Sequence, residues 1–418
     1  MAANGNNNWK PEKLEDICAQ ITDGKHGDCQ DEADSGFYFL SCKDVANGKL
    51  NYDGARQITE ADFLDTHRRT KFAPTDVLIT NSGTIGRMAI APDNELTRRT
   101  TFQKSVAILK PIASRVEPSF LYYALQGDIR RLIEFASGTA QKNLLLRDLR
   151  SFEVGVPSLP VQRQIAGILS AYDDLIENNT RRIQILERMA QTLYREWFVH
   201  FRFPGHAQVK LVASPLGKIP QGWQATRIGD VVETLGGGTP STKKPAYWDN
   251  GTINWYSPSD LTAAGALFIA ESSRKINELG LRESSAKLFP ANCVMMTSRA
   301  TIGVIAINTT PATTNQGFVT CIPNAKLCAY HIVEWIKQSM DLIIGVASGA
   351  TFKEISRGEF RDLPIALPPE NIERDYASTV YPMYQAIRVL LAKNANLRRT
   401  RDLLLPRLLS GELDLTIN

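Results

Sequence analysis

An internal duplication is the strongest constraint that this sequence places on its fold. The stretch FASGTAQKNL at 135–144 matches VASGATFKEI at 346–355, so Ala136 and Ala347 lie 211 positions apart (347 − 136) in a chain of 418 residues. A repeat of this length excludes a short-period solenoid, whose repeat is about 20–50 residues. Further segments match in the same order along both halves: WKPEKLEDI at 9–17 with WQATRIGDV at 223–231, KFAPTDVLITNSGTIGRMAI at 71–90 with KLFPANCVMMTSRATIGVIAI at 287–307, TTFQ at 100–103 with TTNQ at 313–316, and FEVGVPSLP at 152–160 with LPIALPPEN at 363–371. The sequence therefore predicts two similar domains.

Each repeat begins with short strands that alternate with amphipathic helices. Runs such as DVLIT at 76–80 and GVIAIN at 303–308 are apolar or β-branched and are bounded by turn-forming residues, which is typical of strands. The segments 119–136 and 330–347 show helical spacing of their apolar residues. These patterns predict two mixed domains of the α/β (α+β) class, at 1–157 and 204–368.

Each repeat ends in a long segment with heptad spacing, whose apolar positions step alternately by four and three residues. In the first repeat these positions are Ile165, Leu169, Tyr172, Ile176, Asn179, Ile183, Leu186, Ala190, Leu193 and Trp197. Adding 211 gives the same register in the second: Tyr376, Val380, Met383, Ile387, Leu390, Asn394, Leu397, Arg401, Leu404 and Leu408. The spacing predicts two coiled-coil spacer helices, at 158–203 and 369–418.

The two predicted helices bury their seams most simply against each other. Because the first leads away from domain 1 and the second returns from domain 2, the pair is expected to be antiparallel, with a pseudo-twofold axis relating the two domains. Two related domains held at a fixed separation suit a long ligand with near-twofold symmetry, and duplex DNA is such a ligand. The helices would then set the spacing between two half-sites.

Three polar residues and one proline interrupt this regular pattern. Asn179 and Asn394 on the seams have two interpretations: buried asparagines that fix the register and orientation of the helices, or a solvated gap near the edge of the seam. Arg401 interrupts the second seam, and Pro382 is expected to bend the second helix near its start.

Composition excludes several classes of protein. No apolar run reaches the roughly 18 residues that a membrane span requires, and the polar start MAANGNNNWK is not a secretory signal, so a soluble cytoplasmic protein is expected. The six cysteines form no C-x-x-C pair and the five histidines are scattered, so no metal site or disulfide framework is predicted. The net charge of +4 is small, so contact with nucleic acid must rely on local loops.

The loops at matching positions combine glycine with polar and basic side chains that can pair with base edges or phosphates. Glycine-rich polar loops also occur in every α/β domain, and the TIG motif at 84–86 and 301–303 is equally consistent with a turn that the fold requires. The candidate DNA-binding residues are Lys25, His26, Lys43, Asn81, Ser82, Thr84, Arg87, Gln141, Lys142, Asn143, Thr239, Ser241, Lys243, Ser257, Thr297, Arg299, Thr301, Thr351 and Lys353.

The sequence LPVQRQIAGILSAYDDLIENNTRRIQILERMAQTLYREWFVHFRFPG at 159–205, with LLPRLLSGELDL at 404–415 and the paired TIG and ASG loops, resembles the specificity (S) subunit of Type I restriction-modification enzymes. The resemblance implies two target-recognition domains, each of which reads half of a bipartite site in double-stranded DNA. It also implies two methylation subunits as partners, and optionally two restriction or motor subunits. S-adenosylmethionine and ATP with Mg would then belong to those partners.

This chain itself shows no motif for catalysis. It contains neither the N/D-P-P-Y/F tetrapeptide of adenine methylation nor a G-x-x-x-x-G-K-[ST] phosphate loop. A non-catalytic subunit is therefore predicted; the alternatives are a stand-alone nuclease or methyltransferase with fused reading domains, and a coiled-coil scaffold that binds only proteins. The aromatic segment EWFVHFRFPG at 196–205 is either a cap that packs the helix end onto domain 2 or a docking surface for a methylation subunit.

Overall fold

The computed structural model describes residues 9–46, 48–136, 143–349, 353–413 and 415. The chain divides into two compact units: unit 1 is Met1–Glu177 with Ala395–Asn418, and unit 2 is Asn178–Asn394. Each unit therefore contains one globular domain together with part of each of the two long helices.

Unit 1 is built around a four-stranded antiparallel sheet. The strands, in spatial order, are Cys18–Asp23, Val106–Pro111, Val77–Thr80 and Met88–Ile90. Shorter pairs surround the sheet: Lys10–Lys13 with Glu153–Val156 (antiparallel), Tyr38–Leu40 with Thr100–Phe102 (parallel), and Val45–Ala46 with Lys49–Leu50 (antiparallel). The helices are Leu14–Ile17, Glu60–Thr70, Glu95–Arg98, Pro118–Gly127, Ile129–Phe135 and Leu146–Ser151, with a 3-10 turn at Cys42–Asp44.

The helix Pro118–Gly127 forms much of the core of unit 1. Pro118 occupies its first turn, where a missing N–H costs nothing. Its residues 120–125 are all buried, because the helix packs in one cluster with the sheet and with the start of the first long helix. That packing explains why its apolar run is continuous rather than one-sided.

Unit 2 is built around a five-stranded sheet. The strands, in spatial order, are Glu233–Gly236, Phe318–Ile322, Val294–Thr297, Ile305–Asn308 and Phe268–Ile269, and only the last pair is parallel. A second sheet has the order Arg274–Ile276, Ile253–Tyr256 and Ala312–Thr314. Two antiparallel pairs complete the strands: Leu211–Ser214 with Gly217–Pro220, and Gln224–Arg227 with Pro364–Leu367. The helices are Ile228–Val231, Pro258–Ala264, Glu278–Arg282, Ala329–Gln338, Met340–Val346 and Arg357–Arg361, with 3-10 turns at His206–Gln208 and Pro245–Tyr247.

The strand orders of the two units reproduce the duplication seen in the sequence. The four strands of the unit 1 sheet correspond, in the same spatial order, to the first four strands of the unit 2 sheet. The parallel pair Tyr38–Leu40 with Thr100–Phe102 corresponds to Ile253–Tyr256 with Ala312–Thr314. The prediction of two similar mixed α/β domains is confirmed.

Two long helices follow the two domains in sequence. The first long helix is Leu159–Tyr194, and a π-helical turn at Arg195–Val199 follows it, so regular α-helix ends before the predicted bound at residue 203. The second long helix is Glu370–Leu409, and it continues through both Pro382 and Pro406. The π-helical turn lies where Trp197 and Phe198 enter the core of unit 2, which is the physical reason for the earlier end.

Candidate nucleic-acid interface

The first opening loop, residues 22–27, is held by the helix Glu60–Thr70. Lys25 Nζ lies 2.6 Å from Asp62 Oδ1, and Asp62 also accepts a hydrogen bond from the Gln30 N–H at 2.7 Å. The hydrogen bond to Asp62 raises the pKa of Lys25, and the same bond lowers the pKa of Asp62. Lys25 is therefore engaged in an ion pair with its own domain rather than projecting freely.

Arg69 and His26 also bond to residues of the first opening loop. Arg69 donates hydrogen bonds to Asp23 Oδ1 at 3.2 Å and to the Gly24 carbonyl at 2.5 Å, and His26 Nε2 lies 2.8 Å from Asp23 Oδ2. The loop and the helix border an open pocket of about 610 Å³. Its lining is mostly basic: Lys25, His26, Asp65, Thr66, Arg68 and Arg69. This pocket can accept an anionic group such as a phosphate.

The glycines of the opening loops approach the protein's own backbone. A Cβ on Gly24 would lie 2.0 Å from the Phe102 carbonyl oxygen, and one on Gly237 would lie 2.1 Å from the Asn315 carbonyl oxygen. Each glycine therefore lets the opening loop pass next to the TTFQ or TTNQ segment of the same unit. Contacts within their own units account for both glycines.

The TIG motifs form the same hydrogen-bonded turn in both units, named here the TIG turns at 80–87 and 297–304. In unit 1 the Thr80 hydroxyl donates to the Thr84 carbonyl and accepts from the Arg87 N–H at 2.9 Å. In unit 2 Thr297 makes the corresponding bonds to the Thr301 carbonyl and the Val304 N–H. The motif is thus a turn that the fold uses, and it exposes the side chains at its tip.

Glycine at the end of each TIG turn is required by the backbone. Gly303 has φ +93°, and a Cβ there would lie 2.5 Å from Met340 Sδ. We expect Gly303→Ala to lower the free energy of unfolding by about 1–3 kcal/mol, measured by thermal or denaturant unfolding. Gly345→Ala is the matched control in the same unit, because Gly345 lies in a helix with open space around its Cβ position, and it should be neutral or mildly stabilising. Equal stability of the two variants would contradict a structural role for the turn.

The ends of the ASG loops lie beside the TIG turns. The Leu144 N–H donates to the Asn81 carbonyl at 2.9 Å in unit 1, and the Ile355 N–H donates to the Ser298 carbonyl at 3.0 Å in unit 2. In unit 2, Arg299 Nε also donates to Glu354 Oε1 at 2.6 Å. Two loops that are distant in sequence therefore form one continuous edge in each unit.

The second opening loop, residues 236–244, is tied to the TTNQ segment. The Thr239 hydroxyl donates to Gln316 Oε1 at 2.6 Å, while Ser241 and Lys243 are exposed. The Ser298 N–H donates to the Gly317 carbonyl at 2.8 Å, which joins the same segment to the TIG turn. Each unit thus brings together its opening loop, its TIG turn, its TTFQ or TTNQ segment and the end of its ASG loop; this combined surface is called the loop face.

The predicted DNA-binding residues fall into three groups. Asn81 and Thr297 are buried; the Thr297 hydroxyl bonds within its turn, and Asn81 bonds to Leu144 and Ser105 through its backbone. Gln141, Lys142 and Thr351 lie outside the described residues. The remaining candidates are exposed or half-buried: Lys25, His26, Lys43, Ser82, Thr84, Arg87, Asn143, Thr239, Ser241, Lys243, Ser257, Arg299, Thr301 and Lys353.

Four exposed side chains on or beside these loop faces were not among the predicted residues. Arg68 and Arg69 lie in the first pocket, and the backbone of Lys104 pairs with that of Lys25. Gln316 contacts Thr239 in unit 2. The TTFQ and TTNQ match could have indicated Gln316, and the basic pair in THRRT at 66–70 could have indicated the arginines.

In unit 1 the two long helices pack antiparallel through apolar and charged residues. Ile165, Leu169 and Leu408 are buried in one cluster. Arg401 pairs with Asp173, which also accepts a hydrogen bond from the Tyr123 hydroxyl at 2.6 Å. Burial lowers the pKa of Arg401, but its hydrogen bonds to Asp173 and Asp402 leave it raised overall. The arginine that interrupts the apolar pattern is therefore paired on the seam.

In unit 2 the helices also run antiparallel, and Asn179 pairs with Asn394. Asn179 Nδ2 donates to Asn394 Oδ1 at 2.9 Å, and Asn394 Nδ2 donates to Thr180 Oγ1 at 3.2 Å. Asn394 is only 2 % exposed. Asn179 is half-buried, so the two form a hydrogen-bonded pair on the seam, which favours the first of the two interpretations that the sequence leaves open.

The other seam residues are all buried or half-buried within their own units. They are Tyr172, Ile176, Leu397 and Leu404 in unit 1, and Ile183, Leu186, Ala190, Leu193, Trp197, Tyr376, Val380, Met383, Ile387 and Leu390 in unit 2.

The aromatic segment after the first long helix caps unit 2. Trp197, Phe198 and Phe203 are each no more than 7 % exposed. The ring of Phe198 lies 5.8 Å from Trp223 and 4.8 Å from Tyr376, measured between centroids. These rings pack against other residues of unit 2. For the segment 196–205, this favours a cap on the helix end over a docking surface.

Comparison with known proteins identifies the family. The family model described as Type I restriction modification DNA specificity domain matches residues 6–188 and 220–399. The chain belongs to this family. The specificity subunit of the Type I restriction enzyme MjaIX from Methanocaldococcus jannaschii is 28% identical over 384 residues, covering 90% of this chain and 86% of the relative. The HindI specificity subunit from Haemophilus influenzae is 24% identical, covering 97% of this chain and 99% of the relative.

A solved structure agrees with this specificity-domain assignment at the level of fold. The crystal structure of the S subunit of a Type-I restriction-modification system from M. genitalium matches with a TM-score of 0.61 at 15% identity, covering 98% of both chains. The solved structure shares the fold, and the family match with its relatives supports the role of a Type I restriction-modification DNA specificity subunit. No helix among the described residues has the length and apolar character to cross a membrane. Within those same residues, His, Cys, Asp and Glu side chains form no cluster of three that could hold a metal ion.

Proposed function

We propose that each loop face reads one half of a bipartite site in double-stranded DNA, and that the two long helices set the spacing between the halves. The helices would also recruit two methylation subunits, with two restriction or motor subunits joining in the nuclease form. S-adenosylmethionine and ATP with Mg would be bound by those partners, and this chain would act without catalysis in the cytoplasm, where the DNA is.

The observation that carries the proposal is the repeated assembly of four sequence-distant segments into one loop face in each unit. The backbone hydrogen bonds are alike, as shown by Leu144 to Asn81 and Ile355 to Ser298. The exposed side chains differ, because the first opening loop presents His26 whereas the second presents Ser241 and Lys243. A common frame with different side chains is what reading two different half-sites requires.

The exposed side chains have the chemistry for both kinds of DNA contact. Arg87 and Arg299 can pair with guanine in the major groove, and Gln316 can pair with adenine. Arg68 and Lys43 can hold phosphates, which orients the protein without reading the sequence. Binding that depends on such contacts weakens steeply as salt is raised.

Production of the chain with its methylation subunits in a host free of adenine methylation tests this function. Single-molecule sequencing should reveal methylated adenines in one bipartite motif with a fixed gap. Replacing the unit 2 loop residues 239–243 by another sequence should change one half of the motif and leave the other half and the gap unchanged. Methylation at an undivided motif, or a change in both halves, would contradict the assignment of one half-site to each unit.

Arg68 offers a test of the basic pocket in unit 1. Arg68 is exposed and forms no ion pair with the residues described in the structure, so its charge is available to a phosphate. We expect Arg68→Ala to weaken binding to all DNA sequences alike and to reduce the slope of log affinity against log salt by about one. Arg163→Ala is the control, since Arg163 is similarly exposed but lies on the first long helix. Equal salt slopes for the two variants in fluorescence anisotropy would refute a phosphate contact.

An activity assay separates the proposed function from a stand-alone enzyme. If the proposed function is correct, the chain purified alone with S-adenosylmethionine, ATP and Mg should neither methylate nor cleave DNA, and adding methylation subunits should give methylation. Incorporation of labelled methyl groups by the chain alone would favour the stand-alone enzyme.

A further inference from the structure

The polar residues on the seams of the long helices differ between the two repeats. In unit 1 Asp173 pairs with Arg401. The residue that corresponds to Arg401 in the first repeat, 211 positions earlier, is Ala190, and the residue that corresponds to Asp173 in the second repeat is Tyr384. The acid and its basic partner therefore come from different repeats, and neither repeat contains both.

The asparagine pair in unit 2 has the same property. Asn179 belongs to the first repeat and Asn394 to the second. The residues that correspond to them are Leu390 and Ile183, which are both apolar and buried. Each amide thus finds an amide partner only when the two repeats pair with each other.

Pairing between two copies of the same repeat would leave these groups unmatched. Two first repeats would place Asp173 opposite Ala190 and Asn179 opposite Ile183, each twice. Two second repeats would place Asn394 opposite Leu390. Asn394 is buried, and Asp173, Asn179 and Arg401 are half-buried. A polar group that is shielded from water without its partner costs more than the hydrogen bond itself contributes, and a single such layer can decide which helices pair in a coiled coil.

The ends of the two helices add a difference in shape. The end of the first helix carries Trp197 and Phe198, which pack on Tyr376 in unit 2. The corresponding end of the second helix carries Leu409, which packs against Gly127 in unit 1. A Cβ built on Gly127 would lie 2.5 Å from Leu409 Cδ1. A tight contact of this kind leaves no room for an aromatic ring in place of the leucine.

We propose that these contacts make the two repeats of the chain select each other and reject a second copy of themselves. The partner of the first repeat's helical surface is the second repeat of the same chain. A specificity subunit assembled in this way always contains two different recognition domains. The proposal concerns assembly, so it stands or falls independently of which DNA the domains read.

Cleavage of the folded full chain tests the proposal. A protease site inserted between Pro215 and Leu216 lies in the exposed turn that joins the strands Leu211–Ser214 and Gly217–Pro220. After cleavage, dilution and reconcentration, native mass spectrometry separates the mixed pair from the two same-half pairs by mass. We expect the mixed pair almost alone, with same-half pairs at less than about a tenth of their statistical share. A 1:2:1 distribution would overturn the proposal.

A variant that removes the polar pairs tests the cause. A fourfold variant removes the polar partners that distinguish the mixed pair; it combines Asp173→Asn, Arg401→Ala, Asn179→Leu and Asn394→Ile. The side-chain amide at position 173 still offers an oxygen that can accept the hydrogen bond of Tyr123. The share of same-half pairs should then rise about tenfold or more, and an unchanged share would refute the role of the polar pairs. Ile185→Ala with Val389→Ala is the control at exposed helix positions and should change nothing. Should the fourfold variant fail to fold by circular dichroism, the unmodified cleaved chain still decides the proposal.

Discussion

Tyr384→Asp should destabilise unit 2 severely, by about 4–5 kcal/mol of unfolding free energy. Tyr384 is fully buried, and its hydroxyl donates to Glu334 Oε1 at 2.8 Å. Burial raises the pKa of Tyr384 well above its ordinary value, so the hydroxyl keeps the proton that it donates. An aspartate there would replace a donor by a second carboxylate beside Glu334, which is 1 % exposed, and would leave a cavity where the ring stacks on Tyr330.

Two further variants separate charge repulsion from lost packing. Tyr384→Phe keeps the ring and removes only the hydrogen bond, while Lys337 Nζ remains 2.7 Å from Glu334 Oε1, so a loss of about 1–2 kcal/mol is expected. Adding Glu334→Tyr to Tyr384→Asp should recover about 2 kcal/mol or more, because the pair is then the reverse of the original and can bond again. Denaturant unfolding followed by tryptophan fluorescence measures all three. Failure of the double variant to recover stability would mean that packing, not the donor–acceptor match, governs this contact.

Unit 1 already contains the reversed pair that the double variant creates. Tyr123 corresponds to Glu334 and Asp173 to Tyr384, and the Tyr123 hydroxyl donates to Asp173 Oδ2 at 2.6 Å. The tyrosine lies on the domain in unit 1 and on the long helix in unit 2. Exchanging the two domains between positions would therefore oppose two tyrosines at one contact and two carboxylates at the other, so each domain fits its own helix.

Those parts of the fold that depend on local spacing could be predicted from the sequence. The heptad positions from Ile165 to Trp197 are spaced as one face of a helix, and the structure buries them wholly or partly within the units. The sequence places Asn179 and Asn394 on the two seams but leaves their role open, and the structure adds the hydrogen bond between them. Such inferences succeed because helical periodicity is a property of residues close together in sequence.

The parts that depend on contacts distant in sequence could not be predicted. The flexible side chain of Lys25 is paired by Asp62, 37 residues later, and nothing local indicates this partner. Asn81 and Thr297 look like exposed loop residues in sequence, yet the turn draws them inside. The glycines of the opening loops likewise serve a neighbouring strand of their own domain. Polar loop composition indicates a candidate binding surface, but it does not indicate which side chains on that surface are buried or paired within the domain.

Lengthening both long helices by one heptad should widen the gap of the DNA motif by about three base pairs. Seven helical residues add about 10.5 Å, and duplex DNA rises about 3.4 Å per base pair. We propose duplicating residues 176–182 in the first helix together with residues 392–398 in the second. These segments pair through Asn179 and Asn394, and a whole heptad keeps the seam in phase. Methylated-adenine mapping should show both half-sites unchanged and only the gap altered.

Two controls make this result specific to the length of the helices. Duplicating residues 176–182 alone leaves a heptad of the first helix without a partner, so it should reduce thermal stability and methylation instead of moving the gap cleanly. Inserting four residues in both helices rotates the seam away from its partner, because four residues are not a whole heptad, and should have the same effect. An unchanged gap in the fully active paired-heptad variant would show that the helices do not set the spacing. The loop faces could then still read DNA, but the distance between their half-sites would have another origin.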